Sequence, residues 1–215
     1  MKLIFVGDPM CSWCYGFGKE MTALAKLHPE LPLEIVVGGL RAGATDVLDD
    51  AGKSFRLTHW ARVEEASGLP FNREGLMARK NFVYDTEPIC RAVVAARIIA
   101  PDADLLAVFR ALQNGFYVDA VDTTDGRVLA RLASDALRKE GHSVDISAFY
   151  KVWEADSTIA LAKKDFARAR SLGVRSFPAL LLENNGQIQT ISPGYAHVEE
   201  LEQHLQSALQ PLHLS

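Results

Sequence analysis

Apolar residues along this chain follow two rhythms, short unbroken runs near both ends and amphipathic stripes of period three and four between them. Leu3-Ile4-Phe5-Val6 is an unbroken run stopped by Gly7 and Pro9, the signature of a strand covered on both faces. From Cys11 onward, Phe17, Met21, Leu24, Ala25 and His28 line one side of a helix that Pro29 and Pro32 bring to an end. Leu33-Glu34-Ile35-Val36-Val37 is a second buried strand, closed by Gly38-Gly39. Strand, helix and strand in such close succession make a βαβ unit, whose two strands are parallel.

Past Gly39 helical stripes take over for more than a hundred residues. Thr86 is expected to cap a helix with Pro88 in its first turn and Ile89, Val93, Ala96 and Ala100 on one face. Asp102 is expected to cap another carrying Leu105, Leu106, Phe109 and Leu112. Thr123 or Thr124 opens a third, with Val128, Leu132 and Ala136 inside and Gly141 just beyond its end. Shorter amphipathic pieces fit residues 57–63 and 149–153. A helix over 158–172 then stops at Gly173, and residues 176–182 read as a strand that opens with Pro178. Asn184-Asn185-Gly186 predicts a hairpin, because primed turns need positive φ. The partner strand covers 187–192, and a last helix presents Val198, Leu201, Leu205 and Leu209. The order βαβ, helical block, αββα is that of an α/β protein with a mixed sheet.

Composition narrows the function. With 23 basic against 27 acidic residues the net charge is −4, which argues against a nucleic-acid or anionic-lipid partner, and no apolar run is long enough to span a bilayer. The opening apolar run is too short for a secretory signal, so if Met1 is the natural start a cytoplasmic location is expected. Thiols are kept reduced there, and the 3 cysteines do not read as a disulfide framework.

Cys11-Ser12-Trp13-Cys14 sits where the first strand hands over to the first helix. Unpaired N–H groups and the positive end of the helix dipole favour a thiolate on the first cysteine, which is expected to be accessible. Cys14, one turn on, is within disulfide reach. A thiolate at Cys11 can attack a substrate disulfide, and Cys14 can resolve the mixed disulfide. Two blander readings compete: half a zinc site completed by Cys90 and a histidine, or two small buried residues. The first is disfavoured because no second closely spaced ligand pair appears, and the motif is assigned no metal. The second sits badly with a helix start beside Pro9 and Ser12.

The segment Phe5-Val6-Gly7-Asp8-Pro9-Met10-Cys11-Ser12-Trp13-Cys14 resembles the active-site opening of the DsbA-like branch of the thioredoxin superfamily, in particular its cytoplasmic disulfide oxidoreductases and isomerases. Residues 169–179, ending Ser176-Phe177-Pro178-Ala179, are similar to the stretch in which these proteins set a cis-proline opposite the redox cysteines. The resemblance implies a thioredoxin-like fold with residues 1–44 as its βαβ half, 45–157 as a large all-helical insertion and 158–215 as its αββα half. It implies catalytic roles for Cys11 and Cys14, with Ser12, Trp13, Phe177 and Pro178 in contact with substrate. The Phe177 backbone, exposed beside a cis-proline, would pair with an extended substrate. No dissociable cofactor is required, and glutathione is a candidate co-substrate or reductant for protein or small-molecule disulfides.

The sequence also departs from the family pattern. Where thioredoxins and many relatives keep a buried acid, six residues before the first cysteine, this chain has Phe5. Asp8 is nearer the motif but on the loop leaving the strand, and is the accessory candidate for a base. The strongest oxidants carry a histidine between the cysteines; Ser12-Trp13 does not, so a less stabilised thiolate and a weaker oxidant are expected. Cys90 is read either as a small residue at a helix contact or as a third redox thiol, and Tyr84-Asp85-Thr86 before it resembles the segment that relatives bring over the site. Trp60, Phe55, Phe82, Tyr84, Phe116 and Tyr117 are expected mostly in the core, with some lining a groove above the cysteines. His28, His59, His142, His197, His204 and His213 have no metal spacing and are expected at the surface or at helix ends.

Kappa-class glutathione transferases and hydroxychromene carboxylate isomerases share this arrangement, although they usually have serine at the first cysteine position. They supply the alternative reading, a glutathione-dependent transferase or isomerase. A non-enzymatic peptide-binding or chaperone module is the third. Either a monomer or a homodimer suits the pattern.

Overall fold

The computed structural model describes residues 1–210, so His213 lies outside the described residues. β1 (Lys2–Gly7), α1 (Ser12–Leu27) and β2 (Leu33–Val37) form the expected βαβ unit. Six helices follow: α2 (Asp50–Ser67), α3 (Arg73–Ala78), α4 (Glu87–Ile99), α5 (Leu105–Tyr117), α6 (Gly126–Lys139) and α7 (Ile146–Glu154). The chain returns through α8 (Asp156–Ser171), β3 (Ala179–Asn184), β4 (Gln187–Ser192) and α9 (Val198–Leu209).

The strands make one mixed sheet in the order β2-β1-β3-β4. β1 runs parallel to β2 and antiparallel to β3, with Val6 opposite Ala179. The β3–β4 hairpin turns on Asn185 and Gly186, both at positive φ (49° and 80°), which is the backbone a two-residue primed turn demands.

β1 is apolar throughout because both its faces are covered. Phe5 points toward α1 and α5, its ring 5.7 Å from that of Phe17 and 5.3 Å from that of Phe109. Ile4 and Val6 point the other way, into a smaller cluster with Val36, Ala169 and Leu181. Removing a ring such as that of Phe5 from this packing costs about 3–5 kcal/mol. Phe5 is therefore a core residue, and no acid occupies that side of the sheet's central strand.

Local details depart from the sequence expectations in ways that side-chain chemistry explains. Helix α5 is capped by Asp104 rather than Asp102, its carboxylate accepting from Leu106 N and Ala107 N. Helix α6 is capped by Asp125 rather than Thr123 or Thr124, which shifts the buried face to Leu129, Ala130, Ala133 and Leu137 and leaves Val128 and Leu132 half-buried. An aspartate with two orphan N–H groups in reach makes a stronger cap than a threonine upstream. Helix α2 is far longer than the piece expected at 57–63: Asp49 caps its start, and Gly68, at φ 70°, ends it. Strand β3 begins only after Pro178, which has no N–H for the ladder. His28 sits at the end of α1 as expected but is buried, with Glu30 and Glu202 on its two ring nitrogens.

Candidate active site

The first cysteine of the motif is the N-cap of α1, with extended backbone (φ −86°, ψ 119°). Its N–H donates to Asp8 O at 3.0 Å, and its own carbonyl accepts from Tyr15 N. The preceding peptide is held from both sides: Met10 N donates to Asp8 Oδ1 at 2.8 Å, and the Tyr84 hydroxyl donates to Met10 O at 2.5 Å. This fixes where Cys11 sits before any substrate arrives.

Cys11 is only 7 % exposed, so the accessible cysteine expected from sequence is one whose sulfur reaches solvent through a cavity. That cavity, of about 480 Å³, is lined by Cys11, Trp13 and Phe177 together with Leu40, Phe55 and Trp60. Cys14 is fully buried behind it and, like Cys11 and Cys90, is a free thiol. Burial pushes the Cys14 thiol well above the ordinary cysteine range, and the sulfur of Cys11 beside it adds to the effect. A nearby main-chain donor works in the opposite sense: Asp8 N–H points at Cys14 Sγ from 3.5 Å.

The Phe177–Pro178 peptide is cis. The Phe177 carbonyl oxygen lies 3.6 Å from Cys11 Sγ and accepts from the thiol. The antiparallel pairing of β1 and β3 brings the two together, since the end of one strand adjoins the start of the other. The outer end of the Phe177 ring lies against Gly38, where an added Cβ would stand 2.1 Å from Cζ. Only glycine leaves room for this ring.

Asp8 is not on an open loop. It is fully buried, with Oδ1 on Met10 N and Oδ2 accepting from Leu40 N at 2.6 Å and from the Cys90 thiol at 3.5 Å. Burial raises its pKa, and the Thr86 hydroxyl, the Met10 and Leu40 N–H groups and Cys90 partly offset that. Its carboxylate thus organises the loops around the motif; it meets Cys14 directly with its main-chain N–H, while its charge adds to the rise of that thiol's pKa. Thr86 begins α4 without capping it, because its hydroxyl accepts from Arg41 N and serves Asp8. Cys90 is fully buried against this carboxylate, as a small residue at a helix contact would be, and burial drives its thiol well above the ordinary range, with the Asp8 charge adding. Among the described residues no three His, Cys, Asp or Glu side chains converge as a metal site.

Ser12 and Trp13 are half-buried beside Cys11. Trp13 packs on Tyr195 with ring centroids 5.5 Å apart, and Tyr195 is anchored by its hydroxyl to Ala66 O at 3.1 Å. Trp13, Phe177, Pro178, Gly194, Ala66 and Tyr195 line a second cavity of about 390 Å³ on the far side of the Trp13–Phe177 wall. Of the aromatics in the helical segment, Trp60, Phe82, Tyr84, Phe116 and Tyr117 are buried as expected. Phe55 is 65 % exposed and lines the cavity. Sequence reasoning did not single out Arg41, Arg56, Arg175 and Tyr195, which surround the site from four separate segments and share no local pattern.

A thiol at a helix start, a second thiol sealed behind it and the carbonyl of Phe177 meet where β1 hands over to α1 in a thioredoxin-like fold. No protein-family model matches the sequence, and none of the curated proteins does. Among solved structures, a Nitrosomonas europaea protein provisionally described as a protein disulfide isomerase is 31 % identical, with 98 % of each chain covered and a TM-score of 0.86. The chain belongs to the DsbA-like branch of the thioredoxin superfamily. The cytosolic disulfide reductase DsbM from Pseudomonas aeruginosa, also solved with GSH, shares the fold at 22 % identity (97 % of this chain, 98 % of that chain, TM-score 0.77). A 2-hydroxychromene-2-carboxylate isomerase shares it at 15 % identity (97 % and 94 %, TM-score 0.61). Among the described residues no helix is long and apolar enough to cross a membrane.

Proposed function

We propose that the protein is a thiol–disulfide oxidoreductase in which Cys11 is the nucleophile and Cys14 the resolving thiol. The observation that carries this reading is the pairing of one sulfur in an open cavity, facing Phe177 O at 3.6 Å, with a second that is fully buried behind it. In the reducing direction the Cys11 thiolate attacks one sulfur of R–S–S–R′, forming a mixed disulfide and releasing R′–S⁻. Cys14, having given up its proton, attacks Cys11 Sγ, releasing R–S⁻ and leaving a Cys11–Cys14 disulfide. Two electrons pass from the protein dithiol to the substrate disulfide. Run in reverse, the same steps oxidise a dithiol.

Ser12, Trp13, Phe177 and Pro178 are the substrate-contacting residues in this proposal, with the Phe177 backbone offering strand-like pairing. The chemistry needs no dissociable cofactor. Glutathione is the proposed co-substrate that restores the dithiol, and the cytoplasm the proposed setting; the fold shared with a cytosolic reductase solved with GSH supports both.

The test is equilibration in glutathione buffers of known ratio, reading the Cys11–Cys14 redox state with Cys11→Ser as control. A reversible two-electron transition, absent in the control, is expected. A pair that stays reduced under the most oxidising buffer would sink the proposal, and turnover of glutathione with an aromatic acceptor that survives Cys14→Ala would move the reading to a transferase.

A further inference from the structure

The lining of the cavity over Cys11 is mostly apolar but includes His59 and three arginines, Arg41, Arg56 and Arg175. Arg41 is neutralised, holding Asp46 at 2.8 and 2.9 Å through one guanidinium nitrogen. The other two form no ion pair among the described residues. Arg56 lies over the Tyr84 ring, 4.3 Å from its centroid, and donates to Gly52 O; the nearby Asp49 carboxylate is engaged as the cap of α2. Arg175 is exposed two residues before Phe177. The second cavity, across the Trp13–Phe177 wall, has aromatic and proline walls and no charged residue in its lining.

The two cavities share Trp13 and Phe177, so a chain lying along the Phe177 backbone with its sulfur at Cys11 has one flank in each. Unpaired cations beside one flank and apolar rings beside the other ask for opposite chemistries. Resting on the oxidoreductase reading, we propose that the preferred substrate is an extended peptide segment of a protein disulfide, whose cysteine stands between an acidic residue, met by Arg56 and Arg175, and a bulky apolar residue, received against Trp13, Tyr195 and Pro178. A tripeptide thiol can fill the first cavity alone; the second is what selects a longer chain.

The reaction consumes one protein dithiol and one peptide disulfide, and yields the Cys11–Cys14 disulfide and two peptide thiols. The test uses symmetric disulfide dimers of short peptides with Glu and Phe flanking the cysteine in both orders. Matched dimers carry Lys for Glu or Ser for Phe, and glutathione disulfide is included. Reduction by the fully reduced protein is followed by acid quench and chromatography.

One of the two Glu/Phe orders is expected to react about tenfold faster than its Lys counterpart, as exposed charge pairs of modest individual strength add over two arginines. It should also outpace its Ser counterpart and glutathione disulfide. The Glu-to-Lys ratio should fall toward one in Arg56→Ala/Arg175→Ala, fall partway in Arg175→Ala, and shrink with added salt in the unaltered protein. Being a ratio within each variant, it is insensitive to a general loss of activity. Equal rates for Glu and Lys peptides, a ratio that survives in the double variant, or glutathione disulfide as the fastest substrate would each overturn the inference. Failure to reduce any of these disulfides would also overturn the inference, and only if joined by the absence of a Cys11–Cys14 redox transition in glutathione buffers would it overturn the oxidoreductase reading beneath it.

Discussion

Asp8 touches Cys14 with its main-chain N–H and Cys90 with its carboxylate, each at 3.5 Å, so one buried residue is connected to two buried thiols by opposite kinds of group. The N–H favours a thiolate on Cys14, while the charge of the carboxylate disfavours it. Asp8→Asn removes the charge and leaves the N–H in place. The resolving step should then become effective at lower pH. With the Cys11 mixed disulfide formed first, release of the bound thiol as a function of pH should give a profile displaced toward acid relative to the unaltered protein. An unchanged profile would mean that the Asp8 carboxylate does not act on Cys14.

Cys90 gives Asp8 Oδ2 a donor in a place that water does not reach. Cys90→Ala should cost about 1–3 kcal/mol, through the lost partner of a buried carboxylate and a small cavity. Cys90→Ser, with a better donor of similar size, should recover part of that in urea unfolding. Disulfide exchange at Cys11–Cys14 should persist in both variants. Loss of exchange in Cys90→Ser, with the fold intact, would show that the third thiol takes part in the redox cycle.

Gly38 leaves room for the outer end of the Phe177 ring, and a methyl group there cannot coexist with the ring in its present position. Gly38→Ala should displace Phe177 and, with it, the carbonyl that faces Cys11. A loss of about tenfold or more in kcat/KM for disulfide reduction is expected from such misplacement. The accompanying loss of stability should be about 1–3 kcal/mol. Thermal unfolding measured beside the kinetics separates the two effects.

Glu34 joins β2 to α8 through Arg168 and to β1 through Lys2. The hydrogen bond from Arg168, followed by that from Lys2, holds its carboxyl down at about 2, against an ordinary value of 4.5. A depressed carboxyl stabilises the fold above the unfolded value and loses that contribution as pH falls through 4.5 toward 2. Glu34→Gln should therefore be less stable than the unaltered protein at neutral pH, by about 1 kcal/mol once solvent screening of this half-buried pair is allowed for. The difference should close in acid. Urea midpoints at neutral and strongly acidic pH measure both ends of that window.

Much of this architecture was legible from residue patterns, because strands covered on both faces and helices with one apolar stripe write their burial into the chain. The run Leu3–Val6, the Asn185-Gly186 turn and the Cys11 helix start are of this kind. Helix α2 was legible only in its middle, since it buries little beyond Lys53, Trp60, Val63 and Ser67, and its surest signals were Asp49 and Gly68 at its ends. The cysteine pair was legible because the chemistry proposed for it depends on local spacing. Asp8 was misplaced because the groups that bury it come from two later segments, Leu40 after β2 and Thr86 with Cys90 at the start of α4. The arginines of the cavity were silent for the same reason: what distinguishes Arg56 and Arg175 from other surface cations is the absence of a partner, which is a property of three-dimensional neighbourhood.

The antiparallel contact of β1 with β3 also has a consequence during synthesis. Cys11 and Phe177 are 166 residues apart, so the dithiol leaves the ribosome long before the segment that will face it exists. The thermodynamic toll of so wide a closure is small, about 2 kcal/mol beyond that of a 20-residue loop. The kinetic one is larger: until β3 docks, Cys11 lacks the backbone that aligns its partners, and the growing chain displays an unguarded thiol pair to every disulfide and oxidant it meets. A reducing environment during that interval would thus protect the nascent protein from its own reactive site.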